Sequence, residues 1–213
     1  MPNTDWGMLF KKENGCEFDV NSKADRAKMD EIKRKGDPVK PKVEPAPVSP
    51  ALSGLRGRLI DEARKCVGWK EATGNNDGPA IDKILGSVGL KGTRNPYCAA
   101  FNYFVYKNAG ASNLVPQSAW SPDWVARATW TKAKGGVTPK AGDTFGIYFA
   151  NKGRVSHTGM IVEWHEKEGY AVTIEGNTSG HDSFGTAADR EGSGVFEKKR
   201  KISEFHSIRN WID

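Results

Sequence analysis

The sequence predicts an α+β fold in which helices come first and an antiparallel sheet follows. Two observations carry this prediction. Between residues 55 and 128, apolar residues recur at helical spacing. From residue 143 onward, the chain breaks into short stretches rich in β-branched and aromatic residues. Separate helical and strand regions are typical of helices packed on an antiparallel sheet rather than of alternating β–α units.

The helical region divides into four segments. Ser53 is a good N-cap for the first, and Gly110 stops the third. Ser121 and Pro122 open the fourth, because serine caps a helix and proline suits its first position. The predicted helices cover residues 55–67, 80–88, 98–109 and 121–128.

The second half predicts a sheet of about five strands. Residues 166–169 have the composition of a hairpin turn between the second and third strands. Side chains of these two strands are therefore expected to lie close together. The five predicted strands lie within DTFGIYFA, SHTGMIVEWH, YAVTIEGN, GVFEKKRKI and FHSIRNWI.

A proline-rich segment divides the chain near residue 51. Residues 38–50 hold five prolines in thirteen positions, which is typical of a semi-rigid, extended linker. Residues 1–37 contain a hairpin signal at Asn14-Gly15 and a short polar helix pattern, with too few apolar residues for a core. We expect a docking or delivery segment over residues 1–37, a linker over 38–50 and a catalytic domain over 51–213. A disordered tail is the alternative for the first segment.

Composition limits the classes of function. The chain has 213 residues and a formal net charge of +6, which favours anionic partners. The basic residues are spread out without a recognisable motif, so nucleic acid is not an expected partner. No apolar run approaches the roughly 18 residues of a spanning helix, which predicts a soluble chain with no membrane insertion. The start shows no secretory signal, which predicts either another route of export or earlier removal of a leader.

One of the three cysteines stands where a reactive thiol is favoured. Cys98 follows Pro96 at the front of the third predicted helix, and a helix N-terminus stabilises a thiolate. The alternative is a small, buried apolar residue. Cys66 lies on the apolar face of the first helix and is expected in the core, whereas Cys16 has no base near it in the sequence.

A base and an orienting group follow in chain order. His157 begins the second predicted strand, and a rigid strand is a suitable place for a general base. Glu175 and Asn177 are two residues apart on the third strand, so both point to one face and either can orient the imidazole. The remaining histidines are expected in other settings. His165 is expected to be solvated, His181 to lie in a loop, and His206 to pack in or at the edge of the last strand.

Residues of about 55–210 resemble the CHAP family, the cysteine- and histidine-dependent amidohydrolases/peptidases of the papain-like superfamily. The matching stretches are NPYCAAFNYFVYKNAG, PKAGDTFGIY, SHTGMIVEW and TIEGNTSG, with a helical lead-in GWKEATGNNDGPAIDKILGSVGL. The resemblance implies a papain-like fold, with Cys98 as nucleophile, His157 as base, Glu175 as orienting acid and Asn177 as a further polar residue.

The sequence departs from the family at the residue before the cysteine. Many CHAP domains have glutamine there, where it helps form the oxyanion hole, and this chain has Tyr97. The candidate donors are therefore the Cys98 backbone N–H and the Tyr97 hydroxyl, with packing as the alternative role of the tyrosine. Trp120, Trp124 and Trp130 are candidates to line the substrate groove, with core packing as the alternative. Calcium-binding members of the family have an Asp-x-Asp loop just before the cysteine. This chain has no such loop, so no metal is expected, and no cofactor is expected either.

The resemblance implies hydrolysis of an amide bond in peptidoglycan. The bond is either the N-acetylmuramoyl-L-alanine amide or a peptide bond of the stem or cross-link. Without a signal peptide, the enzyme is expected to act in the cell wall or periplasm as a phage lysin or an antibacterial effector of the type VI kind. A carrier or secretion apparatus and, for an effector, an immunity protein are the implied partners. The alternatives are an inactive wall-binding module and a papain-like acyltransferase.

Overall fold

The computed structural model describes residues 54–180 and 192–213, which form helices packed on an antiparallel sheet. They belong to one compact unit. The predicted α+β class is confirmed. The expected docking segment over residues 1–37 and linker over 38–50, with Cys16, lie outside the described residues, as does His181. Within the described ranges, every helix is too short or too polar to cross a lipid bilayer.

Three α-helices precede the sheet in the described residues. Their ends match three of the predicted helices to within one residue. The third helix packs on the second helix and on the strands Arg154–His165 and Tyr170–Thr178. The helices are α1 (Leu55–Cys66), α2 (Pro79–Ser87) and α3 (Cys98–Asn108).

The prediction of a fourth helix over residues 121–128 is wrong. This segment is a short 3-10 helix, Ser121–Val125. The Trp124 carbonyl accepts a hydrogen bond from the Thr144 hydroxyl at 2.8 Å, which replaces a bond to the next helical turn. Arg127 has a φ of 53°, and the chain then pairs with the sheet. Tertiary contacts therefore override the local helix preference.

Seven strands form one antiparallel sheet in the described part of the chain. The sheet exceeds the predicted five strands by β1 and β2, which are two residues long and leave no alternating pattern in the sequence. The spatial order is β2-β1-β7-β3-β4-β5-β6. The strands are β1 (Trp130–Thr131), β2 (Gly135–Gly136), β3 (Thr144–Phe149), β4 (Arg154–His165), β5 (Tyr170–Thr178), β6 (Gly194–Lys201) and β7 (Ser207–Arg209).

The hairpin between β4 and β5 brings the two polar strands side by side. The Gly169 N–H donates to the Glu166 carbonyl at 3.2 Å, which confirms the predicted turn. Apolar side chains of β4 alternate between two clusters, because successive residues of a strand point to opposite faces. Met160 and Val162 belong to the larger cluster, which includes the helices, and Ile161 belongs to the smaller one.

Candidate active site

Cys98 is the first residue of α3, where the helix N-terminus favours a thiolate. Its side chain is nearly buried, yet it lines a cavity. Cys66 differs, because it lies buried on α1 and burial raises the pKa of its thiol to about 12. A thiol with such a pKa stays protonated near neutral pH, which agrees with the predicted core role of Cys66.

A buried hydrogen-bond chain fixes α3 against the strand of His157. Asn102 lies one turn after Cys98, and its side-chain amide donates to the Thr158 hydroxyl at 3.1 Å. That hydroxyl donates in turn to the Phe145 carbonyl of β3 at 2.6 Å. Because Thr158 directly follows His157, the helix that carries the thiol and the strand that carries the imidazole are held in one register.

His157 is buried and uses one ring nitrogen to bind Glu175. The Nε2 atom lies 2.7 Å from the Glu175 Oε2 atom. A carboxylate only accepts hydrogen bonds, so Nε2 carries a proton. The other ring nitrogen, Nδ1, has no hydrogen bond of ordinary geometry to the described residues. Nδ1 is therefore the ring nitrogen left to interact with the Cys98 thiol.

A glycine allows Glu175 to reach the imidazole. Strands β4 and β5 pair Met160 with Ile174, and one step along this register Gly159 faces Glu175. A Cβ atom at Gly159 would lie only 2.8 Å from the Glu175 Cγ atom. The missing side chain thus leaves space for Glu175 to extend diagonally across the sheet to His157.

Arg200 completes the cluster, and the sequence alone did not point to it. Its Nε atom donates to the Glu175 Oε1 atom at 2.8 Å, and its Nη2 atom donates to Oε2 at 2.7 Å. The Thr173 hydroxyl donates to Oε1 at 2.7 Å. With His157, the buried carboxylate therefore accepts four hydrogen bonds, two of them from a planar guanidinium. Glu175 is held in one orientation.

The four basic residues at 198–201 alternate between buried and exposed positions. Lys198 and Arg200 are buried, whereas Lys199 and Lys201 are exposed. Strand β6 carries these residues, and alternate side chains of a strand point to opposite faces. The alternation of β6 explains how Arg200 reaches a buried carboxylate from a highly charged stretch.

The charges of the cluster stabilise one another. Burial acts to raise the pKa of Glu175, but Arg200 outweighs it and holds that pKa well below its ordinary value. Burial acts to raise the pKa of Cys98, but the neighbouring His157 imidazole and the Ser121 hydroxyl leave it below the ordinary 9.0. Burial acts to lower the pKa of His157, but Cys98 and Glu175 raise it to about 9. The lowered pKa of Cys98 and the raised pKa of His157 both shift the balance from a neutral thiol and imidazole toward a thiolate–imidazolium pair.

The pH dependence of thiol alkylation tests this pair. The thiolate is the reactive form, so a lowered pKa makes Cys98 react with iodoacetamide at lower pH than a thiol of pKa 9.0. In His157→Ala the thiolate loses its cationic partner, so the increase in alkylation rate with pH should occur at higher pH. The alkylation rate is measured on the Cys98 peptide by mass spectrometry. Identical profiles for both proteins would show that the imidazole does not activate the thiol.

The thiol opens onto a cavity of about 210 Å³. Trp120, Ser121, Arg154 and Ser156 share its lining with Cys98. The Ser121 Oγ atom lies 3.5 Å from the Cys98 Sγ atom, so this hydroxyl also contacts the thiol. The sequence identified Ser121 only as a helix cap, since spacing along the chain gives no sign of its position beside Cys98.

Three of the four aromatic residues predicted to form the oxyanion hole or the substrate groove do not line this cavity. The Tyr97 hydroxyl is 3.1 Å from the Glu71 Oε1 atom and its side chain is fully buried, which favours the packing role over the oxyanion role. Trp124 is also fully buried and its indole N–H donates to the Ser118 carbonyl, so it belongs to the core. Trp130 packs against Trp164. Trp120, which is 49% exposed, is the predicted groove tryptophan that does line the cavity.

Asn177 is buried near the end of β5 but does not orient the ring. Its φ is 57°, and its backbone carbonyl accepts from the Gly192 N–H at 3.3 Å. Of the two orienting groups that the sequence offered, Glu175 is the one bonded to His157. The positive φ turns the backbone away from regular pairing, so the two-residue spacing does not give both side chains the same contact.

The other described histidines lie apart from the thiol. His165 contacts Glu163 and stacks on Tyr170, and exposed His206 stacks on Tyr148. In residues 54–180 and 192–213, no group of three or more His, Cys, Asp or Glu side chains is placed to hold a metal ion.

Comparison with known proteins finds no match to a protein-family model and none to a curated protein.

Proposed function

We propose that this chain is a thiol-dependent hydrolase that cleaves an amide bond of peptidoglycan. The observation that carries the proposal is the buried cluster in which His157 interacts with Cys98 and binds Glu175, which in turn binds Arg200, beside a cavity that Cys98 lines. A nucleophile, a base and an oriented carboxylate are the groups that acyl transfer through a thioester requires. The stretches that resemble the CHAP family supply the choice of substrate.

The proposed reaction begins with a proton transfer from the Cys98 thiol to the His157 Nδ1 atom. The thiolate attacks the amide carbonyl carbon and forms a tetrahedral oxyanion. We assign the Cys98 backbone N–H and the Ser121 hydroxyl as its donors, because Ser121 lines the cavity beside the sulfur. The imidazolium then protonates the leaving amine as the carbon–nitrogen bond breaks.

The resulting thioester is cleaved by water. His157, again neutral, takes a proton from the water as its oxygen attacks the thioester carbonyl. The carbon–sulfur bond breaks, the acid product leaves, and the thiolate recovers the imidazolium as its partner. Glu175 and Arg200 do not touch the reacting atoms in this scheme and act as positioning residues. The proposed place of action is the cell wall or periplasm, reached after phage lysis or injection-type export.

Product analysis in H₂¹⁸O tests the proposal. The full chain is incubated with purified peptidoglycan, and the soluble products are identified by mass spectrometry. Hydrolysis adds one ¹⁸O atom to the new carboxyl group, and the fragment masses show which amide bond was cleaved. Acyl transfer gives a new amide or ester without ¹⁸O and identifies an acyltransferase. Binding to peptidoglycan without any product identifies a non-catalytic binding module. Cys98→Ala is the negative control.

A further inference from the structure

The cavity beside Cys98 contains a cation, Arg154, that no carboxylate of residues 54–180 and 192–213 neutralises. Arg154 begins β4, three residues before His157, and its guanidinium carbon lies 3.9 Å from the ring centroid of Trp120. Its Nη1 atom donates to the neighbouring Val155 carbonyl at 3.0 Å. Within residues 54–180 and 192–213, no carboxylate forms an ion pair with it. Arg200 shows the contrast, since both of its ion-pair partners are glutamates.

A second polar group in the same cavity has no hydrogen-bond partner among the described residues. Ser156 follows Arg154 by two residues on β4, and its side chain is only 3% exposed. Its hydroxyl oxygen makes no hydrogen bond to the described residues, although the residue lines the cavity. Burying a hydroxyl without a partner is unfavourable, and a bound ligand that accepts or donates here removes that cost.

We propose that Arg154 and Ser156 form a subsite for a carboxylate of the substrate. The planar fork of a guanidinium matches the two oxygens of a carboxylate, and a serine hydroxyl donates to the same group. Stacking on Trp120 holds the plane of the fork in the cavity wall. Cys98 lines the same cavity, so the carboxylate lies near the amide that the thiol attacks.

This subsite narrows the choice of bond, and in this respect it rests on the proposed function. The free carboxylates of peptidoglycan belong to its peptide stems rather than to its sugars. A carboxylate next to the scissile amide therefore favours a bond within the stem or cross-link over the N-acetylmuramoyl-L-alanine bond. The substrate class is a peptide that carries a free carboxylate near its cleaved amide.

The first experiment tests the subsite without any cell-wall substrate. Iodoacetate and iodoacetamide alkylate Cys98 with groups of similar size, but only iodoacetate carries a carboxylate. The measured quantity is the rate of alkylation by iodoacetate divided by the rate of alkylation by iodoacetamide. We expect this ratio to fall on the order of ten-fold in Arg154→Gln and a few-fold in Ser156→Ala, as for loss of charge-assisted hydrogen bonds. Arg154→Lys, which keeps the charge without the fork, should lie between. Arg64→Gln, which removes one exposed arginine from α1, should leave the ratio unchanged.

The second experiment uses purified peptidoglycan and the same material with its free carboxyls converted to amides. The wild-type chain should cleave the native form on the order of ten-fold faster, and Arg154→Gln should lose this preference. An unchanged alkylation ratio in Arg154→Gln would overturn the subsite, whatever the result with peptidoglycan. A shifted ratio without cleavage of either form would support the anion subsite and overturn the proposed function.

Discussion

Replacement of Cys98 by alanine should abolish peptidoglycan hydrolysis. The thiol is the only group of the protein that forms a bond to the substrate carbonyl in the proposed scheme, so we expect a loss of about 100-fold or more. His157→Ala should cause a loss of the same order, because the thiol then lacks both its base and its cationic partner. The rate is measured as release of soluble fragments from purified peptidoglycan by the full chain.

Cys66→Ala provides the matched control. Cys66 is also a buried cysteine, but its raised thiol pKa leaves it protonated and it does not line the cavity. This variant should retain the wild-type rate, and circular dichroism of all three variants should show a folded chain. A Cys98→Ala protein that still cleaves peptidoglycan at a normal rate would remove the thiol from the mechanism.

Arg200→Met should cause the largest loss of stability of any single substitution in the cluster. It leaves the Glu175 carboxylate buried without its bidentate partner, and breaking a buried ion pair in this way costs about 3–5 kcal/mol. Activity should fall as well, because His157 loses its fixed acceptor. The free energy of unfolding is measured by urea denaturation. Lys199→Met, on the exposed face of the same strand, should change it by less than about 0.5 kcal/mol.

The destabilisation should also depend on pH. In the wild type the pKa of Glu175 is depressed, so its stabilising contribution is present above the ordinary 4.5 and is lost as pH falls. Without Arg200, burial raises this pKa and the folded state favours the protonated acid. Arg200→Met should therefore lose more stability at pH 8 than at pH 5. The double variant Glu175→Gln/Arg200→Met removes both charges and should be more stable than Arg200→Met alone. Equal small losses for Arg200→Met and Lys199→Met would contradict the ion-pair interpretation.

The regular elements were predictable where the sequence pattern is long. Apolar spacing over nine or more residues marks α1, α2 and α3, and stretches rich in β-branched and aromatic residues mark the five longer strands. The pattern fails where contacts distant in sequence decide the structure. The Thr144 hydroxyl takes the Trp124 carbonyl, and β1 forms because Trp130 pairs with Ile208. Neither contact leaves a trace in the local sequence.

Some residues of the candidate site were also predictable from the sequence, and others were not. The helix start predicts the setting of Cys98, and strand patterns place His157 near Glu175 before any contact is known. Arg200 was missed because a run of four basic residues is usually solvated. A signal did exist, since alternate residues of a strand must point to opposite faces and a buried Glu175 requires a cation. Ser121 has no such signal, because its contact with Cys98 depends on how the 3-10 helix Ser121–Val125 packs near α3.

Because the four ionisable side chains of the cluster are buried, salt should affect the reactivity of the thiol less than it affects the binding of the chain to an anionic wall. Cys98, His157, Glu175 and Arg200 are all at most 4% exposed, so dissolved ions cannot enter between them. Screening acts over about 8–10 Å of solvent at moderate ionic strength and weakens mainly exposed charges. Added salt should therefore leave the intrinsic reactivity of the thiol nearly constant. The attraction of a chain of net charge +6 to an anionic wall should weaken in the same solutions. Ionic strength thus becomes a means of distinguishing a chain that fails to reach the wall from one that reaches it and fails to cleave.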